Sequence, residues 1–140
     1  MLFEAIIALT LTFTTTAYTP AANRISGDWY AADGVRVQAI TIACGPRYFG
    51  YVFEFENAPL GTPRFRICHD RGGMVGNNQV DFAIVDGPAD IRLRRAFDWG
   101  VRRVRARVWK ISKEQLIELQ TKPILWQNIQ SRRNPTGHTL

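Results

Sequence analysis

The most regular pattern in the sequence is a strict alternation near the amino terminus. Mostly apolar side chains fall on odd positions from Leu9 to Ala17, and hydroxyl-bearing side chains fall on even positions from Thr10 to Tyr18. A period of two in a threonine-rich segment is typical of a β-strand with one buried face. The pattern therefore predicts a strand over 9–18.

The same segment has a second interpretation, as an export signal. Residues 2–13 are largely apolar and small residues follow them, as in a signal peptide over 1–17. However, no Lys or Arg precedes the apolar run, and Glu4 stands where positive charge is expected. The run is also too short for a bilayer, which needs roughly twenty residues. We therefore favour the strand and expect no transmembrane segment.

Five further segments have the composition or the alternation of strands. Valine, isoleucine, threonine and aromatic residues dominate them, and turn-forming residues separate them, including those at 23–28 and at Asp33-Gly34. The predicted strands are 35–44, 48–56, 64–68, 80–85 and 101–111.

The alternation also predicts which faces are buried. Within 48–56 four aromatic residues share one face and are expected in the core: Phe49, Tyr51, Phe53 and Phe55. The opposite face carries Val52, Glu54 and Glu56. Within 101–111, small apolar residues at 104, 106 and 108 alternate with arginines at 103, 105 and 107. This strand is expected to have one buried face and one cationic face.

Two helices are predicted from their end signals. Pro88 precedes 89–99, apolar residues follow at helical spacing, and Gly100 comes just after. Ser112 and Gln115 have the spacing of a capping box for a helix over 113–121. Beyond it, 124–140 holds one apolar patch, around Leu125 and Trp126, and a polar tail.

The composition indicates a folded chain with an excess of positive charge. Of the 140 residues, 46% are hydrophobic, which suffices for one core, and 18 Lys and Arg outnumber 12 Asp and Glu to give +6. Anionic partners are therefore favoured. No aromatic residues are interleaved with the arginines as in single-strand nucleic-acid binding, so we expect no nucleic acid partner. Two cysteines and two histidines at unsuitable spacing exclude a Cys/His zinc site, and no metal or organic cofactor is expected.

A glycine-rich loop holds the best candidate chemistry. It spans 70–78 between two predicted strands, and Asp70 and Asp81 stand at its edges. Glycines at 72, 73 and 76 permit positive backbone angles and the close approach of another chain, as in a groove for an extended polymer. The alternative is that both aspartates are ordinary turn residues. His69 is a candidate donor to Asp70, although a structural role is favoured.

Cys44 and Cys68 end two predicted strands. A disulfide between them would contribute about 3 kcal/mol by chain entropy. Two buried free thiols fit the sequence equally well.

Several segments of the chain resemble, in the same order, the three-aspartate (3D) domain of bacterial cell-wall enzymes such as the membrane-bound lytic transglycosylase A family. The hallmark is the loop with paired glycines, an apolar residue, a further glycine and two aspartates at the family's separation. The matching segments are 16–20 (TAYTP), 31–34 (AADG), 58–62 (APLGT), 70–81 (DRGGMVGNNQVD), 96–100 (AFDWG) and 104–108 (VRARV).

The resemblance implies a mainly β fold, a six-stranded double-psi β-barrel over 9–111, with short helices and a carboxy-terminal helix and tail over 112–140. It also implies cleavage of the MurNAc-GlcNAc bond of peptidoglycan by a lytic transglycosylase. By this resemblance Asp81 is the general acid and base and Asp70 its supporting partner. The residues implied to bind the glycan strand are Thr16, Tyr18, Arg71, Gly72, Gly73 and Gly76.

One departure from the family keeps a second function open. The family's earliest aspartate falls at or beside Gly45, so one of the three acids is absent. The first alternative is a non-catalytic barrel, which either binds cell wall or belongs to a virion and has other virion proteins as partners. A weaker alternative is a nucleic-acid-binding barrel. A small wall enzyme without a clear export signal fits a phage protein in a virion or released by a holin to the periplasm. If 1–17 is a signal peptide, secretion is expected instead.

Overall fold

The computed structural model describes residues 8–20 and 29–121 of the chain, and in them six strands close into a barrel. The turn predicted at 23–28, the first seven residues and the apolar patch at 125–126 lie outside the described residues. The strands are β1 (Leu9–Tyr18), β2 (Thr41–Cys44), β3 (Tyr51–Phe55), β4 (Phe65–Asp70), β5 (Gln79–Ala83) and β6 (Arg102–Lys110), and the α-helices are α1 (Ala89–Trp99) and α2 (Lys113–Thr121).

The strand order around the barrel is β1-β5-β2-β4-β3-β6, and β6 closes on β1. Two neighbouring pairs, β1/β5 and β2/β4, are parallel, and the other four are antiparallel. The mainly β class and the six-stranded closed barrel are therefore confirmed. None of the helices within residues 8–20 and 29–121 is long and apolar enough to cross a membrane.

The alternation of β1 is confirmed in the middle of the strand, whereas Leu9 at its start is 52% exposed. Phe13 and Thr15 point into the barrel and are at most 1% exposed, whereas Thr10, Thr12 and Thr16 are exposed. Because β1 lies between β5 and β6, cleavage after Ala17 would remove nearly the whole of one barrel strand. The alternation of β6 is confirmed in the same way, with its three odd-numbered arginines exposed.

Aromatic rings fill the barrel interior. Phe53 and Phe55 are fully buried and stack on one another at 5.5 Å between centroids. Phe13 and Phe82 contact this pair edge-on. The other two aromatics predicted in the core, Phe49 and Tyr51, are only partly buried and pack against it. The predicted core face of this segment is confirmed at Phe53 and Phe55, while its strand is shorter, because 46–48 forms a 3-10 turn.

A second apolar cluster lies outside the barrel, beneath α2. Leu119 of α2 covers Val52, Phe65, Ile67, Trp109 and Ile40. The expectation that Val52 shares a solvent face with Glu54 and Glu56 is wrong, because α2 covers that part of β3. The predicted capping box is confirmed: the Ser112 hydroxyl accepts from the Gln115 amide at 3.1 Å, and the Gln115 side chain accepts from the Ser112 amide at 3.0 Å.

The strand predicted over 35–44 is wrong in its first half. Only Thr41–Cys44 is a strand, and residues 29–38 form a folded-back segment with a single bridge between Tyr30 and Arg36. The predicted turn at Asp33-Gly34 causes this, because Gly34 has a positive φ and the Asp33 carboxylate accepts from the Val35 amide at 3.0 Å. The reversal takes Val35 and Val37 out of line with β2.

The two cysteines form a disulfide inside the barrel, joining β2 to β4, with 5.9 Å between their Cα atoms. Of the two states that the sequence allowed, the bonded one is found. Replacing both with alanine should lower the free energy of unfolding by about 3 kcal/mol, because the unfolded chain loses a cross-link. Denaturant unfolding of the double variant measures this. A midpoint equal to that of the oxidised parent would contradict the prediction, and reduction of the parent provides the matched control.

Candidate active site

The strand register brings the two predicted catalytic aspartates to one outer face of the barrel. Asp81 of β5 is paired with Ala43 of β2, and Ala43 is paired on its other side with Asp70 of β4. The register shifts between Ile42 and Ala43, which leaves His69 as an extra residue in β4 and turns Asp70 to the same face as Asp81. The small side chain of Ala43 therefore separates the two carboxylates, whose Cα atoms lie roughly 10 Å apart at normal strand spacing.

Asp70 is held in place by three hydrogen-bond donors. The Tyr18 hydroxyl donates to one carboxylate oxygen at 2.8 Å. The other oxygen accepts from the amides of Ala32 at 3.2 Å and Arg71 at 2.9 Å. These donors come from β1, from the 29–38 segment and from the start of the glycine-rich loop, so Asp70 joins three parts of the chain.

Asp81 has one such partner. The Thr16 hydroxyl, directly opposite on β1, donates to Oδ1 of Asp81 at 3.0 Å. Among the described residues nothing donates to Oδ2. Burial raises the pKa of Asp81 to about 6; the Thr16 hydrogen bond opposes this rise and the negative charge of Asp70 adds to it. Asp81 can therefore carry a proton near neutral pH on Oδ2, to which no residue of 8–20 and 29–121 donates.

Tyr18 binds Asp70 and lies close enough to Asp81 to feel its charge. Burial is the main cause that raises the pKa of Tyr18 far above its usual value, followed by the charge and the hydrogen bond of Asp70 and by the charge of Asp81. The phenol therefore stays protonated and acts as a donor. Thr16 and Tyr18, two positions apart on the same face of β1, thus each bind one of the two carboxylates.

A buried network holds the 29–38 segment against the barrel, where its Ala32 amide reaches Asp70. The fully buried His69 contacts Asp33 through Nδ1 at 3.1 Å and Thr41 Oγ1 through Nε2 at 2.7 Å. Because a carboxylate only accepts, Nδ1 carries the proton. Gln120 of α2 donates to the other Asp33 oxygen at 3.0 Å. The structural role favoured for His69 is therefore what the structure shows, since it does not contact the Asp70 carboxylate.

Burial alone would raise the pKa of Asp33. Hydrogen bonds from the Gln120 side chain, the Val35 amide and His69 outweigh burial and hold that pKa below its usual value. Asp33 thus remains charged over the range in which Asp81 titrates, and the attachment of the segment persists there.

The loop glycines do not use the positive backbone angles that glycine permits. Positive φ occurs at other glycines, and Gly72, Gly73 and Gly76 have none. The close approach is instead at Gly45, where an added Cβ would lie 2.6 Å from the backbone of Gly76 and of Asn77. The Asn77 side chain also accepts from the Arg47 amide at 3.0 Å. The loop is therefore fastened to the end of β2.

The residues predicted to bind substrate are not all in the same place. Thr16 and Tyr18 contact the aspartates directly, as described above. Arg71 follows Asp70, and its exposed guanidinium lies 4.6 Å from the centre of the Phe49 ring. A Cβ at Gly73 would meet nothing within 4 Å, so the outer side of the loop is open. The loop thus forms an accessible rim beside Asp70.

Asp70 and Asp81 are both half-buried. A separate cleft of about 300 Å³ lies between residues 57–60 and α1, and it contains neither aspartate. In the described part of the chain no three His, Cys, Asp or Glu side chains are grouped so that they could hold a metal ion. The chemistry available at the site is proton transfer by carboxyl groups.

Sequence reasoning missed Ala43 and Ala32, because neither residue type carries a chemical signal. Their roles come from register and from a backbone amide. Comparison with known protein families, with curated proteins and with solved structures finds no match.

Proposed function

We propose that the protein is a peptidoglycan-cleaving enzyme of the lytic transglycosylase type, with Asp81 as general acid and base. The observation that carries the proposal is the placement of Asp81 and Asp70 on either side of Ala43, each with a hydroxyl partner from β1. The excess positive charge suits an anionic wall.

The proposal extends to the barrel type. The resemblance to the three-aspartate domain implies a double-psi topology, and two parallel strand pairs on either side of the β5/β2 contact support it.

In the proposed reaction Asp81 acts twice. Its Oδ2 proton goes to the glycosidic oxygen as the bond from that oxygen to C1 of N-acetylmuramic acid breaks. The C6 hydroxyl of the same sugar then bonds to C1, and its proton returns to Asp81. The product is an anhydro sugar and no water is consumed, which differs from hydrolysis by two carboxylates.

The neighbouring residues prepare Asp81 for this role. The charge of Asp70 helps to keep Asp81 protonated. Tyr18 positions Asp70, and Thr16 fixes the Asp81 carboxyl through Oδ1 and leaves Oδ2 toward the substrate.

The activity should depend on pH through Asp81. The acid must be protonated, and its pKa is about 6, so the rate should fall about tenfold per pH unit above pH 6. Replacing Asp70 with asparagine removes a negative charge that raises this pKa, so the falling limb should move to lower pH. The move should be partial, because burial is the larger cause. Rates measured across pH on purified sacculi test this, and a limb that moves upward would contradict it.

The proposal as a whole is tested by incubating the purified full chain with sacculi and identifying the soluble products by mass spectrometry. Anhydro-sugar ends support the transglycosylase. Reducing ends would indicate a hydrolase, and no soluble product would indicate a non-catalytic barrel.

The rival is a non-catalytic barrel that binds cell wall or forms part of a virion. Gly45 favours it, because the position where the family has its first aspartate leaves no room for a side chain. Retention on sacculi without cleavage would support this alternative.

We further propose that the protein acts outside the cytoplasm, either in a virion or after release or secretion to the periplasm. The disulfide between Cys44 and Cys68 supports this, because disulfides persist in oxidising compartments.

A further inference from the structure

The outer face of β1 and β6 carries a ladder of paired threonines and arginines that leads toward Asp81. In the register of these strands the cross-strand pairs are Thr10 with Arg107, Thr12 with Arg105 and Thr14 with Arg103. The three arginines are exposed. The next outward position of β1 after Thr14 is Thr16, which binds Asp81.

The arginines of this ladder differ in their partners. Arg107 lies 3.5 Å from the carboxylate of Glu54, and Arg105 lies 3.4 Å from that of Glu56. β3 ends at Phe55, so it offers no carboxylate opposite Arg103. Among the described residues Arg103 has no ion pair, and of the three arginines in the ladder it is the one nearest Asp81. A free cation at this end of the ladder can bind an anion without first losing a partner.

The distance between Arg103 and Asp81 indicates which kind of anion Arg103 binds. Arg103 lies two strands away from Asp81 across the sheet and two residues away in the direction of the strands. At ideal strand spacing their Cα atoms are therefore roughly 12 Å apart. For a glycan that crosses β5 and β1 at a steep angle to the line from Asp81 to Arg103, the part of the substrate that reaches Arg103 is a group that projects sideways from the sugar at Asp81. In peptidoglycan that group is the stem peptide, which carries carboxylates. Arginine binds carboxylates with two parallel hydrogen bonds.

We infer that Arg103, with Thr14 beside it, is a subsite for a carboxylate of the stem peptide on the glycan that crosses Asp81. This inference rests on the proposed function and makes the enzyme selective for peptide-bearing glycan. Arg105 and Arg107 each lie beside a glutamate, which competes with a substrate carboxylate for them, and they are not part of this subsite.

The test measures binding with turnover prevented. Four full chains are compared: the reference carries Asp81→Asn alone, and the other three carry in addition Arg103→Gln, Arg103→Lys or the matched control Arg105→Gln. Their retention is compared on intact sacculi, on glycan stripped of peptides by an amidase, and on a neutral N-acetylglucosamine polymer.

Arg103→Gln should weaken retention on intact sacculi about tenfold, whereas Arg105→Gln should weaken it less than about threefold. Arg103→Lys should fall between them, because lysine keeps the charge and loses the planar fork. On stripped glycan and on the neutral polymer all four proteins should be retained equally. Added salt should reduce the difference on intact sacculi.

Equal losses in Arg103→Gln and Arg105→Gln would overturn the inference, as would a defect that persists on stripped glycan or a failure of every protein to bind sacculi. These outcomes are distinct from failure of the proposed activity. If the parent releases no anhydro sugars but retention depends on Arg103, the transglycosylase proposal fails and the subsite belongs to a wall-binding barrel. If cleavage occurs and retention is independent of Arg103, only the subsite fails.

Discussion

Replacing Asp81 with asparagine should lower the rate of anhydro-sugar release from sacculi by about 10²–10⁴-fold, the usual contribution of a general acid. Asparagine has the same shape and can still accept from Thr16, but it has no proton to give to the leaving oxygen. The rate is best measured below pH 6, where the carboxyl of the parent is protonated. Parent-like turnover in this variant would show that Asp81 is not the acid.

The stability of the Asp81→Asn variant shows whether it is correctly folded. Because burial raises the pKa of Asp81 from 3.8 to about 6, the folded protein holds this proton more tightly than the unfolded chain does. The free energy of unfolding is therefore highest below pH 3.8, falls as pH rises from 3.8 to 6, and stays at the lower value above pH 6. The asparagine variant avoids that loss, so above pH 6 it should be more stable than the parent by about 2 to 3 kcal/mol. Asp90→Asn, at an exposed position in the first turn of α1, should change neither rate nor stability appreciably.

Placing an aspartate at Gly45 should destabilise the protein rather than restore a missing acid. Its Cβ would lie 2.6 Å from the backbone of Gly76 and Asn77, which cannot move aside as a flexible side chain would. We expect the free energy of unfolding to fall by about 3 kcal/mol, at the upper end of overpacking effects. Cleavage should fall as well, because the loop that begins at Asp70 must shift.

The matched control for stability is Gly73→Asp in the same loop. A Cβ there meets nothing within 4 Å and the backbone angle is ordinary, so the free energy of unfolding should change by less than about 0.5 kcal/mol. Chemical denaturation of both variants gives the comparison. A stable Gly45→Asp variant with raised cleavage would show that the first acid can be restored, and that the loop is less firmly attached than the contacts at Asn77 indicate.

The meaning of the glycine at position 45 depends on whether the parent cleaves glycan. If the parent cleaves glycan, the first family aspartate is dispensable, and this chain uses that position to fasten its loop. If the parent binds wall without cleaving it, the loss at Gly45 accompanies the loss of catalysis. Product analysis on the parent therefore decides how the stability result at Gly45 is understood.

Local patterns predicted most of the strands and both helices. β1 and β6 were found from period-two alternation, because one face of each meets the barrel interior and the other meets solvent. The errors occurred where distant segments intervene. Val52 looked exposed because the sequence does not show that α2 covers it, and the strand before Thr41 was overextended because the Asp33 turn reverses the chain.

The sequence by itself determined the barrel-forming strands, the capping of α2 and the two candidate aspartates, because these depend on side-chain period and residue type within short segments. Tertiary structure alone decided that Asp70 and Asp81 share a face, that Tyr18 and Thr16 bind them, and that Gly45 touches the loop. These features depend on strand register and on a one-residue bulge at His69, and a register shift of one residue would turn the side chains to the opposite face. Within the described residues Arg103 likewise has no carboxylate opposite it, because β3 ends before it reaches that row of the sheet.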